Sequence, residues 1–192
     1  YTTKGASARI NWELGGVELT SITAFETTKG YSRGDTDGGA ATDFPFNGVP
    51  NGYGQSMGQI RGLDQWTQEL RLASTGSGPF KWQVGGFYFD SRDTTDFYQR
   101  GYFLTGAANN LNNWVRLRNV NTSWAVFGQA SYQVTDKLTL TGGLRYTEDD
   151  KRTRLLKTAD TAAGVVNYRG RYDVKLEGKE PSWDISAMYQ AT

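Results

Sequence analysis

Apolar and polar residues alternate along several segments of the chain, most clearly at 138–147. In LTLTGGLRYT the side chains of Leu138, Leu140 and Leu144 share one face, and Thr139 falls on the other. An apolar period of two fits an extended strand, because the apolar stripe of a helix recurs every three to four residues. This segment is therefore predicted to be a strand with one apolar and one polar face.

The same criterion predicts a sheet of seven antiparallel strands. The other six strands are predicted at 7–14, 17–30, 65–73, 80–89, 122–132 and 182–190. Polar residues on the opposite face of these strands include Glu69, Arg71, Gln129, Arg145 and Asp184. If the sheet closes into a barrel, these residues line its lumen.

The connections between the predicted strands alternate between short and long. Turns rich in glycine, proline or aspartate are expected at 13–16, 74–79 and 133–137, which are compositions typical of tight turns. Long polar loops are expected near 31–62, 91–120 and 149–180. This alternation is typical of outer-membrane barrels, whereas three such loops would be unusual in a compact soluble domain.

Aromatic residues stand at both ends of the apolar faces. The predicted girdle at the long-loop ends is Trp66, Tyr88, Trp124, Tyr146 and Trp183, and at the turn ends it is Phe80, Trp82, Tyr132 and Tyr189. Eight residues separate Trp124 from Tyr132, which is about 26 Å along a strand. A tilt of about 40° turns this into about 20 Å of height, near the roughly 25 Å apolar band of such barrels. Together these features predict an all-β transmembrane antiparallel barrel; the alternative is a soluble β-sandwich with aromatic strand ends.

Composition excludes several classes of function. The chain has no histidine and no cysteine, so a serine–histidine or cysteine–histidine hydrolase and a thiolate metal site are both excluded. Its 21 basic and 20 acidic residues give no basic excess for nucleic acid. No apolar run reaches the roughly 20 residues of a membrane-spanning helix, but barrel strands hide only alternate residues in lipid.

Four segments resemble the barrel domain of TonB-dependent outer-membrane receptors of the sphingomonad and caulobacter type. They are LTSITAFE (19–26), WTQELRLAS (66–74), WQVGGFYF (82–89) and AVFGQASYQVTDKLTLTGGLRYTEDDKR (125–152). The last is the most specific, because a turn, both of its strands and the GLRYT ending occur in order. Such barrels have about 22 strands. We therefore expect residues 1–192 to be an internal part of one barrel domain, without its plug domain and C-terminal strands.

The resemblance implies active import of a scarce nutrient, such as a ferric siderophore, across the outer membrane of a Gram-negative cell. Such import involves no chemical step, so the resemblance implies no enzyme activity, no catalytic residues and no cofactor. It implies partners in the TonB complex, acting through the plug domain, and in outer-membrane lipid and lipopolysaccharide. A passive porin and a soluble polysaccharide-binding sandwich stay open as alternatives. A plug domain encoded upstream would separate the receptor from a porin.

Aromatic and basic residues in the predicted loops are the candidate ligand contacts, because guanidinium donates in a planar fork to anionic groups. They are Arg33, Phe44, Phe46, Tyr53, Tyr98, Arg100, Tyr102, Trp114 and Arg116. The third loop carries Lys151, Arg152, Arg154, Lys157, Arg169 and Arg171, for which contact with lipopolysaccharide is as good an interpretation. Asp35, Asp37 and Asp43 resemble the start of a calcium loop, but the closing glutamate is missing, so no metal site is predicted.

Overall fold

The computed structural model describes residues 1–35, 55–100, 112–160 and 166–191. They form one antiparallel sheet of seven strands, and each strand pairs with its neighbours in sequence order. The strands are β1 (Thr2–Glu13), β2 (Val17–Asp35), β3 (Gln55–Ser74), β4 (Phe80–Arg100), β5 (Asn112–Thr135), β6 (Leu138–Asp160) and β7 (Val166–Tyr189). The prediction of an all-β antiparallel sheet with seven strands is confirmed.

The three short turns lie where the sequence predicts them. Between β1 and β2, Gly15 and Gly16 have φ of 61° and 91°, and the Leu14 amide donates to the Val17 carbonyl at 2.8 Å. Two successive positive φ values favour glycine and match the right-handed twist of the flanking strands. Between β5 and β6, the Thr135 hydroxyl accepts a hydrogen bond from the Leu138 amide at 3.1 Å.

The predicted long loops are wrong over most of the second and third loops and over 13 residues of the first. The two ends of each predicted loop continue the neighbouring strands, at 31–35, 55–62, 91–100, 112–120, 149–160 and 166–180. β5 and β6 remain paired from Asn112↔Asp160 to Thr135↔Leu138, with one register shift near the turn. The hydrogen-bonded ladder thus continues past the point where the outward side chains stop being apolar, and that is where the prediction ended each strand.

The described residues form a single layer with no second sheet against it. Only Ala125, Thr20 and Asp96 among them are buried. A β-sandwich buries the apolar face of one sheet against another, and this arrangement is not seen in the described ranges. In the same ranges, no helix has the length and apolar character to cross a membrane.

Candidate functional site

The two faces of the sheet differ in exposure along the part between the predicted girdles. Val84, Val126 and Leu144 are exposed on one face, which we call the outward face. Ala125, on the opposite or inward face, is 1% exposed, although it adjoins the 53%-exposed Val126. A curved sheet with lipid on its convex side requires apolar side chains that project outward. Its inward side chains are packed more closely together.

The aromatic residues predicted for the upper girdle are staggered across the strands. Tyr88 lies directly opposite Trp124. Each of the other three neighbouring pairs of aromatics is out of register by two residues. Trp66 lies opposite Asp90, two residues from Tyr88; Tyr146 lies opposite Val126, two residues from Trp124; and Trp183 lies opposite Leu144, two residues from Tyr146. The displacements all run in one direction and total six residues over four strand spacings.

This stagger fixes the tilt at which the five rings reach one height. Six residues span about 20 Å along a strand, and four spacings of about 4.8 Å span about 19 Å across the sheet. The strands must then tilt by about 45°, close to the roughly 35–45° of outer-membrane barrels. The Trp124 and Tyr146 rings are neighbours, with centroids 5.7 Å apart. A level ring of aromatics is therefore compatible with the register of the sheet.

The predicted lower girdle also lies on the outward face. Phe80 pairs with Tyr132. Tyr189, the last residue of β7, pairs with Leu138, the first residue of β6. Phe80, Tyr132 and Tyr189 are each at least half exposed. Trp82 shares their face because it lies two residues from Phe80 in the same strand.

On the inward face, a guanidinium group lies among phenyl rings. The Arg145 guanidinium carbon is 5.9 Å from the Phe87 ring centroid and 5.8 Å from that of Phe127, and its Nε donates to Thr147 Oγ1 at 3.0 Å. Phe127 in turn covers Gly85 in the paired strand, where a Cβ would come within 2.7 Å of the Leu70 carbonyl oxygen. The inward wall is thus cross-linked by cation–π and van der Waals contacts that span β3 to β6.

The other polar residues predicted for the lumen also lie on this face. Glu69 and Arg71 form an ion pair with each other. Gln129 accepts a hydrogen bond from Gln83 at 3.1 Å. Asp184 lies over Gly143, where a Cβ would collide with its carboxylate. These contacts satisfy polar groups within the wall, as a lumen lining requires.

A hydrogen-bonded network on the inward face beyond the upper girdle was missed by the sequence analysis. Asn119 Nδ2 donates to Asp93 Oδ2 at 3.0 Å, and Thr153 Oγ1 donates to Asn119 Oδ1 at 2.8 Å. The network joins β4, β5 and β6, and Phe97, four residues beyond Asp93 on β4, is exposed on the same face. Only the strand register brings these residues together, so no sequence motif could have identified them.

The outward face becomes charged beyond the upper girdle on β6 and β7. We call the paired residues there the charged ladder: Glu148, Asp150, Arg152, Arg154, Asp173, Lys175, Glu177 and Lys179. Lys179 Nζ lies 3.1 Å from Glu148, and Lys175 Nζ lies 2.9 Å from Asp150. Charged side chains are costly in hydrocarbon, so the charged ladder is expected to lie above the apolar band.

The ladder holds Asp173 in its charged form. Hydrogen bonds from Arg152, at 2.8 and 2.6 Å, are the main cause that lowers the pKa of Asp173 to about 2. Arg154 Nε adds a contact at 3.3 Å. A hydrogen bond from Lys175 to Glu177, followed by one to Asp150, raises the pKa of the Lys175 ammonium.

We expect the contribution of Asp173 to stability to be lost only in strong acid. A depressed carboxyl pKa stabilises the folded state above the ordinary value of 3.8, and the stabilisation disappears as the pH falls toward about 2. The test is the difference in melting temperature between the intact protein and its Asp173→Asn variant as a function of pH. The difference should be constant above pH 4 and shrink below it; a difference that shrinks near neutral pH would contradict the pairing.

A carboxylate between two arginines ties β3, β4 and β5 together beyond the girdle. Asp96 is fully buried and pairs with Arg61, at the β3 bulge, and with Arg116 at 2.7 Å. Burial alone would raise the pKa of Asp96, but the hydrogen bonds from Arg116 and Arg61 outweigh it and lower the pKa. The Arg116 guanidinium also lies over the Trp114 ring, 5.2 Å from its centroid.

Removal of this carboxylate should destabilise the protein more than removal of one from the charged ladder. We expect Asp96→Ala to cost about 1–3 kcal/mol, because a fully buried carboxylate and its charge-assisted hydrogen bonds to Arg61 and Arg116 are lost. Asp150→Ala should cost less than about 1 kcal/mol, because its pair with Lys175 is about half exposed. Chemical denaturation of the two variants gives both values, and equal costs would contradict the distinction.

The described residues predicted to contact ligand lie on the outward face. Arg33, Met57, Tyr98 and Trp114 form one row across β2 to β5. Tyr98 is ten residues from Tyr88 in a strand whose pairing with β5 has no register shift, so both fall on the same face. Arg116 is two residues from Trp114 and is held by Asp96. Their side chains therefore do not line the inward wall.

Several predicted positions lie outside the described residues. These are Phe44, Phe46, Tyr53, Tyr102, Asp37, Asp43 and the side chains of Asp35, Arg100 and Arg169. Of the cations predicted in the third loop, Arg152 and Arg154 face outward on β6, and Arg171 faces outward on β7 opposite Leu156. Lys151 and Lys157 face inward. Across the described ranges, no group of three or more acidic residues is placed to hold a metal ion.

A single antiparallel sheet with one apolar and one polar face is the arrangement of a β-barrel wall. The chain belongs to the TonB-dependent receptor-like β-barrel family, whose model matches residues 1–192. The predicted family is therefore confirmed, and it is a family of receptors rather than of enzymes.

One solved structure shares the fold over almost the whole chain. It is the ferric yersiniabactin uptake receptor FyuA from Yersinia pestis, with a TM-score of 0.73 and 15% sequence identity. The match covers 99% of this chain and 26% of that receptor, so the chain spans about a quarter of its length.

Proposed function

We propose that the protein imports a scarce, bulky nutrient across the outer membrane in a TonB-dependent manner. A ferric siderophore or similar chelate is the leading class of ligand. The observation that carries the proposal is a sheet with an apolar outward face between aromatic residues and a polar, cross-linked inward face, in a chain of this receptor family. The similarity to a ferric yersiniabactin uptake receptor supports a ferric chelate as the ligand class.

The proposed protein is one larger barrel, to which these 192 residues contribute a wall. Barrels of this kind have about 22 strands, so β1 and β7 would each pair with a further strand. A plug domain and the remaining strands would lie outside this chain. The TonB complex would act through the plug, and outer-membrane lipid and lipopolysaccharide would surround the outward face. No chemical step is assigned to the wall.

The inward face beyond the girdle is the better candidate for ligand contact within the described residues. Phe97 offers an exposed ring there, and Asp93, four residues before it on β4, offers polar groups together with Asn119 and Thr153. The outward row of Arg33, Tyr98 and Trp114 could reach a ligand only over the rim of the barrel. Phe44, Phe46, Tyr53, Arg100 and Tyr102 stay predictions.

Uptake of ferric chelates by cells tests the proposal. A strain that lacks the receptor gene should lose uptake of radiolabelled iron presented as its ferric chelate, and a strain that lacks TonB should lose it equally. Uptake that persists without TonB would favour a passive porin. Recovery of the protein in the aqueous fraction without detergent would instead favour a soluble sandwich.

A further inference from the structure

A shallow groove of about 590 Å³ crosses the outward face from β4 to β7. Its floor is formed by the small residues Gly128, Ala130 and Gly142. Bulky side chains border the floor on both sides: Trp82 and Val84 on one, Leu144, Trp183 and Ile185 on the other. The lining is almost entirely apolar, so the groove is shaped for hydrocarbon rather than for a polar ligand.

The groove lies at the height of the bilayer core. Gly128 and Ala130 lie between the upper-girdle Trp124 and the lower-girdle Tyr132 on the same strand. At this height the surroundings of a barrel are lipid tails, and an apolar groove that stays empty loses dispersion contacts with its walls. An acyl chain is the occupant that this position favours.

Cations stand directly above the groove on the same strands. Trp183 borders the groove, and Lys179 lies four residues beyond it on β7. Among the described side chains of β6 and β7, the outward face above the girdle carries five cations, Arg152, Arg154, Arg171, Lys175 and Lys179, against four acids, Glu148, Asp150, Asp173 and Glu177. Within the described residues Lys179 has one carboxylate partner, so its ammonium keeps N–H donors for a phosphate.

The height of these charges indicates the size of the headgroup. From Lys179 to Arg171 the strand advances eight residues, which is about 26 Å along its axis. After a tilt of about 45° this covers about 18 Å of height. A phospholipid headgroup layer is only about 5–8 Å thick on each side of the hydrocarbon core. Lys179 itself lies four residues above Trp183 on β7, which is about 9 Å of height at the same tilt. A phosphorylated saccharide headgroup therefore fits this position better than the headgroup of a phospholipid.

We propose that β5, β6 and β7 hold one outer-leaflet lipid of the lipid A type. An acyl chain occupies the groove, and a sugar phosphate contacts Lys179 above it. The inference rests on the proposed placement of the sheet in the outer membrane and adds a defined lipid site to it.

The test measures lipid binding to the intact receptor in detergent with purified lipid A as the probe. Gly142→Leu fills the groove floor, and a Cβ at Gly142 meets nothing nearer than 4.0 Å, so the variant should fold. We expect its affinity for lipid A to fall about tenfold, equivalent to about 1.4 kcal/mol. Gly86→Leu is the matched control, because Gly86 is an outward glycine outside the groove whose Cβ would meet only Ala125 O at 3.8 Å.

The phosphate contact is tested separately. Lys179→Gln should weaken binding of lipid A about tenfold and leave binding of dephosphorylated lipid A unchanged. Lys175→Gln is the matched control, because the Lys175 ammonium is already held by Asp150 and Glu177, and it should have the smaller effect. Phosphatidylglycerol should bind more weakly than lipid A, because its headgroup is too short for the ladder.

Three results would overturn the lipid site: equal binding by the two leucine variants, no effect of phosphate removal, or tighter binding of phosphatidylglycerol. A receptor dimer that Gly142→Leu dissociates would assign the groove to a protein partner instead. Uptake of ferric chelate distinguishes this failure from failure of the proposed function. A receptor that imports normally but lacks the lipid site loses only the present inference, whereas loss of TonB-dependent uptake removes the function itself.

Discussion

Val84→Arg should destabilise the intact protein by about 2–4 kcal/mol, the cost of an arginine on the lipid face near the bilayer midplane. Val84 lies four residues from the upper-girdle Tyr88 and four from Phe80 at the lower end of the same strand, so it is at mid-height of the apolar band. It is about half exposed on the outward face. Equilibrium unfolding of the barrel in phospholipid vesicles measures the cost.

Gln83→Arg is the matched control because it lies next to Val84 but faces inward. Its partner there is the Gln129 side chain, in a wall that already carries Arg71 and Arg145. We expect a loss well under that of Val84→Arg, since a water-filled lumen solvates the new charge. Similar losses at the two positions would mean that both faces meet the same solvent, which a barrel wall does not allow.

Gly85→Ala should destabilise the protein by about 1–3 kcal/mol, the usual cost of forcing extra volume into a packed site. A Cβ at this position would approach the Phe127 ring at 2.5 Å and the Leu70 carbonyl oxygen at 2.7 Å. The backbone atom cannot move without disturbing the β3–β4 ladder. Chemical denaturation in vesicles or detergent gives the change in free energy.

Gly86→Ala is the control for this second prediction. Its Cβ would point outward and meet only the Ala125 carbonyl oxygen at 3.8 Å, an ordinary contact. We expect less than about 0.5 kcal/mol of change, as for surface substitutions away from packed features. If Gly86→Ala were the more damaging of the two, the assignment of inward and outward faces on β4 would be reversed.

The membrane-spanning part of the fold could be predicted from the sequence because one solvent acts on each face there. Leu140 and Leu144 alternate with Thr141 and Arg145, so a period of two is visible without a structure. The turn at Gly15 and Gly16 could be predicted because positive φ values favour glycine. Local sequence and the bilayer constraint together therefore specify strand number, turn positions and faces.

The strand extensions could not be predicted because the polarity of the faces changes beyond the girdle. On β6, Arg152 and Arg154 point outward, whereas Thr153 and Leu155 point inward. An apolar outward face no longer marks the strand, and the polar composition suggested a loop. What continues there is backbone hydrogen bonding and ion pairing between strands, which depends on register rather than on composition.

The orientation of the candidate ligand residues also depends on register. Trp114 and Arg116 have the chemistry of ligand contacts, but the face of the sheet on which each lies is determined by the unbroken pairing of β4 with β5. Asp93 and Asn119, which face inward, are 26 residues apart and form no recognisable motif. Residue type could indicate which side chains are capable of recognition, but not which side of the wall they occupy.

A cysteine scan along residues 122–132 tests the central claim most directly. The natural chain contains no cysteine, so each introduced thiol carries the only spin label in this part of the protein. In bilayers, labels at Val126, Gly128 and Ala130 should be accessible to oxygen and shielded from a water-soluble nickel chelate, with the opposite behaviour at Phe127 and Gln129. A period of two with that phase is the expected result. Uniform accessibility to the nickel chelate, or the opposite phase, would contradict the placement of this face in lipid.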